Sequence, residues 1–113
     1  MKIMIVEDSA AVRSFIKSLL AKVADDFVEC ADGKEALQTY LEHQPDLVLM
    51  DIELKQMGGF AATSQIKAEF PDSRIVIVSY FDSPELRKAA WRAGAEGYVN
   101  KRDLLQLIEI VKG

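Results

Sequence analysis

Five short apolar runs recur along this chain, spaced so that one helix fits between each pair, and four of them stop on polar residues. The third, Leu47-Val48-Leu49-Met50, follows Pro45-Asp46 and gives way to Asp51. A run that short, apolar on both alternate sets of side chains, suits a central strand covered on both faces. Lys2 to Val6 and Arg74 to Ser79 read the same way, the latter β-branched through its middle. Phe27 to Cys30 reads as a shorter strand at an edge, and Gly97 to Asn100 as a fifth strand running into Lys101.

The segments between carry helical spacing. Val12, Phe15, Ile16, Leu19, Leu20 and Val23 fall on one face of a helix predicted from Ala10 to Val23, with Ser9 as its N-cap. Ala36, Leu37, Tyr40 and Leu41 predict a second helix that ends near Gln44, before Pro45. Phe60 to Phe70 predicts a third, with Ile66 and Phe70 inward, after a loop containing Gly58-Gly59. Ser83-Pro84 starts a fourth, whose Leu86, Ala89, Ala90 and Ala93 face the sheet and whose C-cap is Gly94. Leu104, Leu107, Ile108 and Val111 line a fifth. Strands alternating with helices imply a parallel sheet with helices on both faces, and five such units are too few to close an eight-fold barrel. An open doubly wound α/β sheet remains, forming one domain over residues 1–113.

A net charge of -4 gives no electrostatic case for binding nucleic acid or a membrane. No apolar stretch approaches a membrane span, and Met1-Lys2 leads straight into strand residues. The single cysteine, Cys30, reads as a buried reduced thiol and fits a cytoplasmic location. His43, the only histidine, lies at the end of the second helix and reads as a solvated residue at the negative end of its dipole.

Carboxyl ends of parallel strands share one sheet edge, so Glu7, Asp8, Asp51, Ser79 and Lys101 should converge there. Taken singly, each is an ordinary cap or loop residue. Together they place three acids in one crevice, and two carboxylates about 4 Å apart repel by roughly 4 kcal/mol at an effective dielectric near 20. A hard divalent cation relieves that repulsion, and so few oxygen ligands favour magnesium. Lys101 adds a fixed positive charge and Ser79 a hydroxyl. A carboxylate nucleophile, a metal, a lysine and a hydroxyl together describe phosphoryl transfer onto aspartate.

On these residues the chain resembles a receiver domain of a bacterial two-component response regulator, essentially end to end. Glu7-Asp8 matches the family's acidic pair, Asp51 its phosphoacceptor, Ser79 its switch hydroxyl and Lys101 its lysine. The stretch Gly94 to Lys101 is similar to receivers whose regulators carry a C-terminal helix-turn-helix. The resemblance implies a flavodoxin-like sheet with strand order 2-1-3-4-5. It also implies phosphoryl transfer to Asp51 from a histidine kinase or phosphotransfer protein. Magnesium (or manganese) would be held by Glu7 or its bound water, Asp8, Asp51 and the backbone carbonyl of Glu53. Ser79 and Tyr98 would form the switch pair, repacking the surface of the fourth helix, fifth strand and fifth helix. Such a domain is a signalling module rather than an enzyme, with transcription as its expected output.

Several positions depart from the family pattern. Lys55 stands where proline is usual, Gly58 where aspartate is common, and Arg102 where a proline often follows the lysine. The loosened last turn is an expectation from Arg102. Tyr80 replaces a small residue beside Ser79 and lends weight to an alternative, a pseudo-receiver acting as a phosphorylation-independent scaffold. Glu53 and Phe81 occupy variable positions that tune dephosphorylation. An aspartate-nucleophile phosphatase would need its Asp-x-Asp motif after the first strand, and a flavin-binding relative would need a phosphate loop where Glu7-Asp8 repel phosphate. Trp91, Leu105 and Ile110 lie off the inward faces of the last two helices. Packing at the core's edge is the plainer expectation, and a homodimer or partner contact there the sharper one. Met57 reads as loop packing.

Overall fold

The computed structural model describes all residues, Met1–Gly113. The strands are β1 (Lys2–Val6), β2 (Asp26–Cys30), β3 (Leu47–Met50), β4 (Ile75–Ser79) and β5 (Gly97–Asn100). The helices are α1 (Ala10–Leu20), α2 (Ala36–His43), α3 (Gly59–Glu69), α4 (Pro84–Ala93) and α5 (Gln106–Lys112). All strand pairs are parallel, in the order β2-β1-β3-β4-β5, which is the flavodoxin-like arrangement. No helix is long and apolar enough to cross a membrane.

Strand alternation divides the core into two layers. Met4, Val6, Val48, Met50, Ile75 and Ile77 point to one face, where α2, α3 and α4 cover them with Tyr40, Ile66 and Ala90. Ile3, Ile5, Leu47, Leu49, Val76 and Val78 point to the other, under Ile16 and Leu20 of α1 and Leu107 and Val111 of α5. Every residue of β3 and β4 is buried, as strands covered on both faces require.

The helices depart from their predicted lengths and faces where neighbours decide packing. α1 stops at Leu20, three residues short of the predicted end, because Val23 and Ala24 both donate to the Leu20 carbonyl in a closing turn. Phe15 stays half exposed, since the row Ile16–Leu20 alone meets the sheet. Leu41 is likewise exposed rather than inward, because Ala36 and Tyr40 fill the contact with α3. β2 and α3 each begin one residue earlier than predicted. Phe70 falls just beyond α3, its ring 4.8 Å from that of Tyr40.

On α4, Ser83 Oγ accepts from the Leu86 amide at 3.1 Å, and Gly94 closes the helix at φ 105°, as its sequence requires. Only Ala90 is fully buried on that helix; Leu86, Ala89 and Ala93 are half-buried at the sheet's margin. Trp91 and Leu105 point to solvent. Ile110 packs at the rim of the α1–α5 layer, the edge-of-core packing expected for it. The segment after β5 is a short 3₁₀ turn, Lys101–Asp103, in which Asn100 Oδ1 accepts from the Arg102 amide at 2.9 Å. That turn stands where the looser last turn was expected. Met57 packs against the α2–α4 layer and Cys30 is buried, both as anticipated.

Candidate phosphoacceptor site

β1, β3 and β4 all end at the same sheet edge, and their terminal polar groups meet there. Glu7, Asp51 and Ser79 are buried, whereas Asp8 is exposed at the cleft mouth. One carboxylate oxygen from each of Glu7, Asp8 and Asp51 lies within 4.8 Å of the others. Lys101, delivered by the end of β5, lies 3.4 Å from Asp51 Oδ2 and makes a closer ion pair with Glu7 Oε1. The cleft encloses about 300 Å³, with Tyr80, Phe81 and Glu53 at its rim.

The electrostatics are unbalanced. Burial pushes the Glu7 carboxyl above its ordinary range, although hydrogen bonds from Lys101 and the Ser9 amide pull it back. Burial likewise raises Asp51, partly offset by the Lys101 charge and the Glu53 amide. Burial works against the Lys101 charge too, yet Glu7 and Asp51 together hold that ammonium above its ordinary value. One buried cation therefore serves two buried anions, with a third carboxylate beside them. An all-oxygen donor set with excess negative charge is what a hard divalent ion occupies, so these residues fit the metal that the resemblance implies.

Glu7 is more committed than its residue type suggests. Its Oε1 faces Lys101 and its Oε2 accepts from the Ser9 amide at 2.9 Å, while Arg13 Nη1 donates to its backbone carbonyl at 2.6 Å. Asp51 Oδ1 accepts from the Glu53 amide at 3.3 Å, while its Oδ2 faces Lys101 at 3.4 Å on the wall of the cleft.

No direct hydrogen bond of ordinary length joins Ser79 to Tyr98, although burial raises the Tyr98 phenol and the nearby Ser79 side chain pulls it back. Ser79 Oγ accepts from the Phe81 amide at 3.0 Å, and the Tyr98 hydroxyl donates to the Phe81 carbonyl. The backbone of Phe81 thus joins the pair. Tyr80 turns its half-exposed ring toward two cations, 5.2 Å from Lys101 Nζ and 5.7 Å from the Arg102 guanidinium, and lines the cleft that holds Asp51.

Two contributors were invisible as residue types. One is Phe81, which acts through backbone atoms. The other is Gly59, where a Cβ would stand 2.0 Å from the Asp51 carbonyl oxygen and 2.7 Å from Ile52 Cα. Only glycine lets the first turn of α3 press against the loop that carries Asp51. The adjacent Gly58-Gly59 pair was the available signal, read only as loop composition.

A five-stranded doubly wound sheet of order β2-β1-β3-β4-β5, whose strand ends gather three acids and a lysine, is the architecture of a receiver-type signalling module. The chain belongs to the response regulator receiver domain family, whose model matches residues 3–112. It is 39% identical over 104 residues to the oxygen regulatory protein NreC of Staphylococcus epidermidis, covering 89% of this chain and 48% of that protein. The chain therefore spans about half the length of that relative. It is 34% identical over 100 residues to the chemotaxis protein CheY of Halobacterium salinarum, covering 88% and 83% of the two chains. Among solved structures, a LuxR-family two-component response regulator from an Aurantimonas species matches with TM-score 0.87 and 36% identity, covering 99% of this chain and 85% of that one. A CheX–CheY complex with BeF3 and magnesium from Borrelia burgdorferi shares the fold, with TM-score 0.89 at 23% identity and coverage of 100% and 90%.

Proposed function

We propose that Asp51 accepts a phosphoryl group from the phosphohistidine of a histidine kinase or phosphotransfer protein, and that this switches the surface of α4, β5 and α5. The observation that carries the reading is the carboxylate cluster of Glu7, Asp8 and Asp51, with Lys101 bridging two of its members. A carboxylate oxygen of Asp51 attacks phosphorus, the P–N bond breaks, and its electron pair returns to the donor's imidazole, which takes up a proton. Asp8, Asp51, the Glu53 carbonyl and Glu7, directly or through water, would hold magnesium or manganese, which would supply charge neutralisation at the site. Lys101 needs only a small movement to leave Glu7 for a phosphoryl oxygen, since it already sits 3.4 Å from Asp51.

The Phe81 backbone offers a route from the site to the surface. When Ser79 Oγ turns to donate to a phosphoryl oxygen, its bond to the Phe81 amide is lost. Phe81 then shifts, its carbonyl releases the Tyr98 hydroxyl, and the ring is free to turn inward. Moving such a switch from 1:99 to 99:1 takes about 5.5 kcal/mol of differential stabilisation. The output we assign is control of transcription, on the likeness to LuxR-family regulators. Tyr80 borders the cleft without filling it, which supports phosphorylation over a purely scaffolding role.

Incubation with acetyl phosphate and magnesium should add the mass of one phosphoryl group, and Asp51→Asn should abolish the addition. An unmodified native chain would leave the scaffold as the better reading.

A further inference from the structure

Arg13 makes two side-chain hydrogen bonds, and neither goes to a carboxylate of the cleft. Its Nη1 donates to the Glu7 backbone carbonyl at 2.6 Å and its Nε to Glu29 Oε1 at 2.9 Å. It forms no ion pair with Glu7, Asp8 or Asp51, so it does not balance the acids it stands beside. Both of its anchors are fixed by the fold. The Arg13 amide closes the first turn of α1 onto the Ser9 carbonyl at 3.0 Å. Glu29 on β2 is level with Ile5 on β1 and shares its face, the one that α1 covers. Lys17, one turn beyond Arg13, donates to the other Glu29 oxygen at 2.9 Å and keeps that carboxylate in place.

We propose that Arg13 is a positioning residue for the metal site: by tying the Glu7 carbonyl to β2 it sets the direction in which Asp8 presents its carboxylate. The peptide between Glu7 and Asp8 is planar and rigid, so holding its oxygen fixes the main chain on which Asp8 is mounted. The Glu7 amide is held from the other side, donating to the Cys30 carbonyl at 2.9 Å. Asp8 stands exposed at the cleft mouth with no ion pair of its own, so its direction comes through the main chain. The residue type fits the task. A guanidinium is a planar fork that reaches two acceptors at once, whereas an ammonium on a flexible stem is a point charge. The identity of the ion rests on the function proposed above. Magnesium demands near-ideal octahedral geometry and calcium accepts a looser one, so a misdirected Asp8 penalises magnesium more.

The test titrates the metal-free chain with magnesium and, separately, with calcium by calorimetry, at a temperature where cooperative melts show each variant folded. Arg13→Met should weaken magnesium about tenfold and calcium less than about threefold. Arg13→Lys should behave like Arg13→Met, because it restores the charge without the fork. Lys17→Met, which removes an exposed ion pair to Glu29 and leaves the Arg13 bonds intact, should change magnesium affinity less than about twofold. Tighter magnesium binding in Arg13→Met, with native affinity in Arg13→Lys, would make Arg13 a mere repelling charge and overturns the proposal. Equal losses for both ions, or a loss in Lys17→Met as large as in Arg13→Met, overturns it as well. Amide exchange gives a second measurement without metal. The Ser9 amide, which donates to Glu7 Oε2, should exchange faster in Arg13→Met, and an unchanged rate denies the main-chain tie. A native chain that binds no magnesium removes the proposed function and this role together, whereas a native chain that binds it as tightly as Arg13→Met removes this role alone.

Discussion

The two edges of the sheet handle charge in opposite ways. At the edge where strands begin, charges are exposed and separately satisfied: the Met1 ammonium pairs with Asp25, Arg74 pairs with Glu96 at 3.0 Å, and Asp46 accepts from the Lys2 backbone amide at 2.7 Å. Such exposed contacts are screened by water and contribute little to stability. At the edge where strands end, Glu7 and Asp51 are buried beside a single lysine, and burial raises both carboxyls. The first edge is ordinary solvated protein. The second concentrates buried negative charge that its one lysine does not balance, which is the arrangement the proposed function draws on.

The largest test of this contrast removes Lys101. Lys101→Met strips the only cation from two buried carboxylates, and the expected loss is about 3 kcal/mol at pH 7, read as a fall of more than about 10 °C in Tm. The loss should shrink as pH falls and the two acids take up protons. Magnesium is the next lever. At ten times its Kd it should stabilise the native chain by about 1.4 kcal/mol in thermal unfolding, and Asp51→Asn should blunt that gain.

Asp51→Asn in metal-free buffer should raise stability by about 1 kcal/mol at pH 7, because it removes a buried anion. The folded-state pKa of Asp51 is raised, so its relative stabilisation is complete below the unfolded carboxylate range and is lost as pH rises through the folded value. The advantage of the asparagine should therefore vanish once the pH drops below the ordinary carboxylate range, as denaturant melts at several pH values would show. Smallest of all, Arg74→Met at the opposite edge should change stability by less than about 0.5 kcal/mol at any of these pH values. A loss there equal to that of Lys101→Met would erase the distinction between the edges.

Much of this was legible in the chain itself. Runs such as Leu47–Met50 and Ile75–Ser79 are too short and too uniformly apolar to be surface helices, and their alternation with helical spacing leaves few topologies. A parallel sheet then carries every strand end to one edge, so Asp51 and Lys101 meet although fifty residues of sequence separate them. Helix faces were read less well. Periodicity shows which side chains share a stripe, but the width of the neighbour decides how much of the stripe is covered, which is why Phe15 and Leu41 remain in water and Ile110 does not.

What the residues determine alone is a pattern of side-chain type along the chain, since hydrophobic period and strand length are local properties. Only the folded molecule decides which partner a charge takes and which backbone atoms do chemical work. Lys101 chooses Glu7 as its nearer partner, Phe81 ties Ser79 to Tyr98 through main-chain atoms, and Gly59 is demanded by a carbonyl 2.0 Å from where its Cβ would be. Those choices depend on ångström distances between segments remote in sequence, and no one-dimensional pattern encodes them.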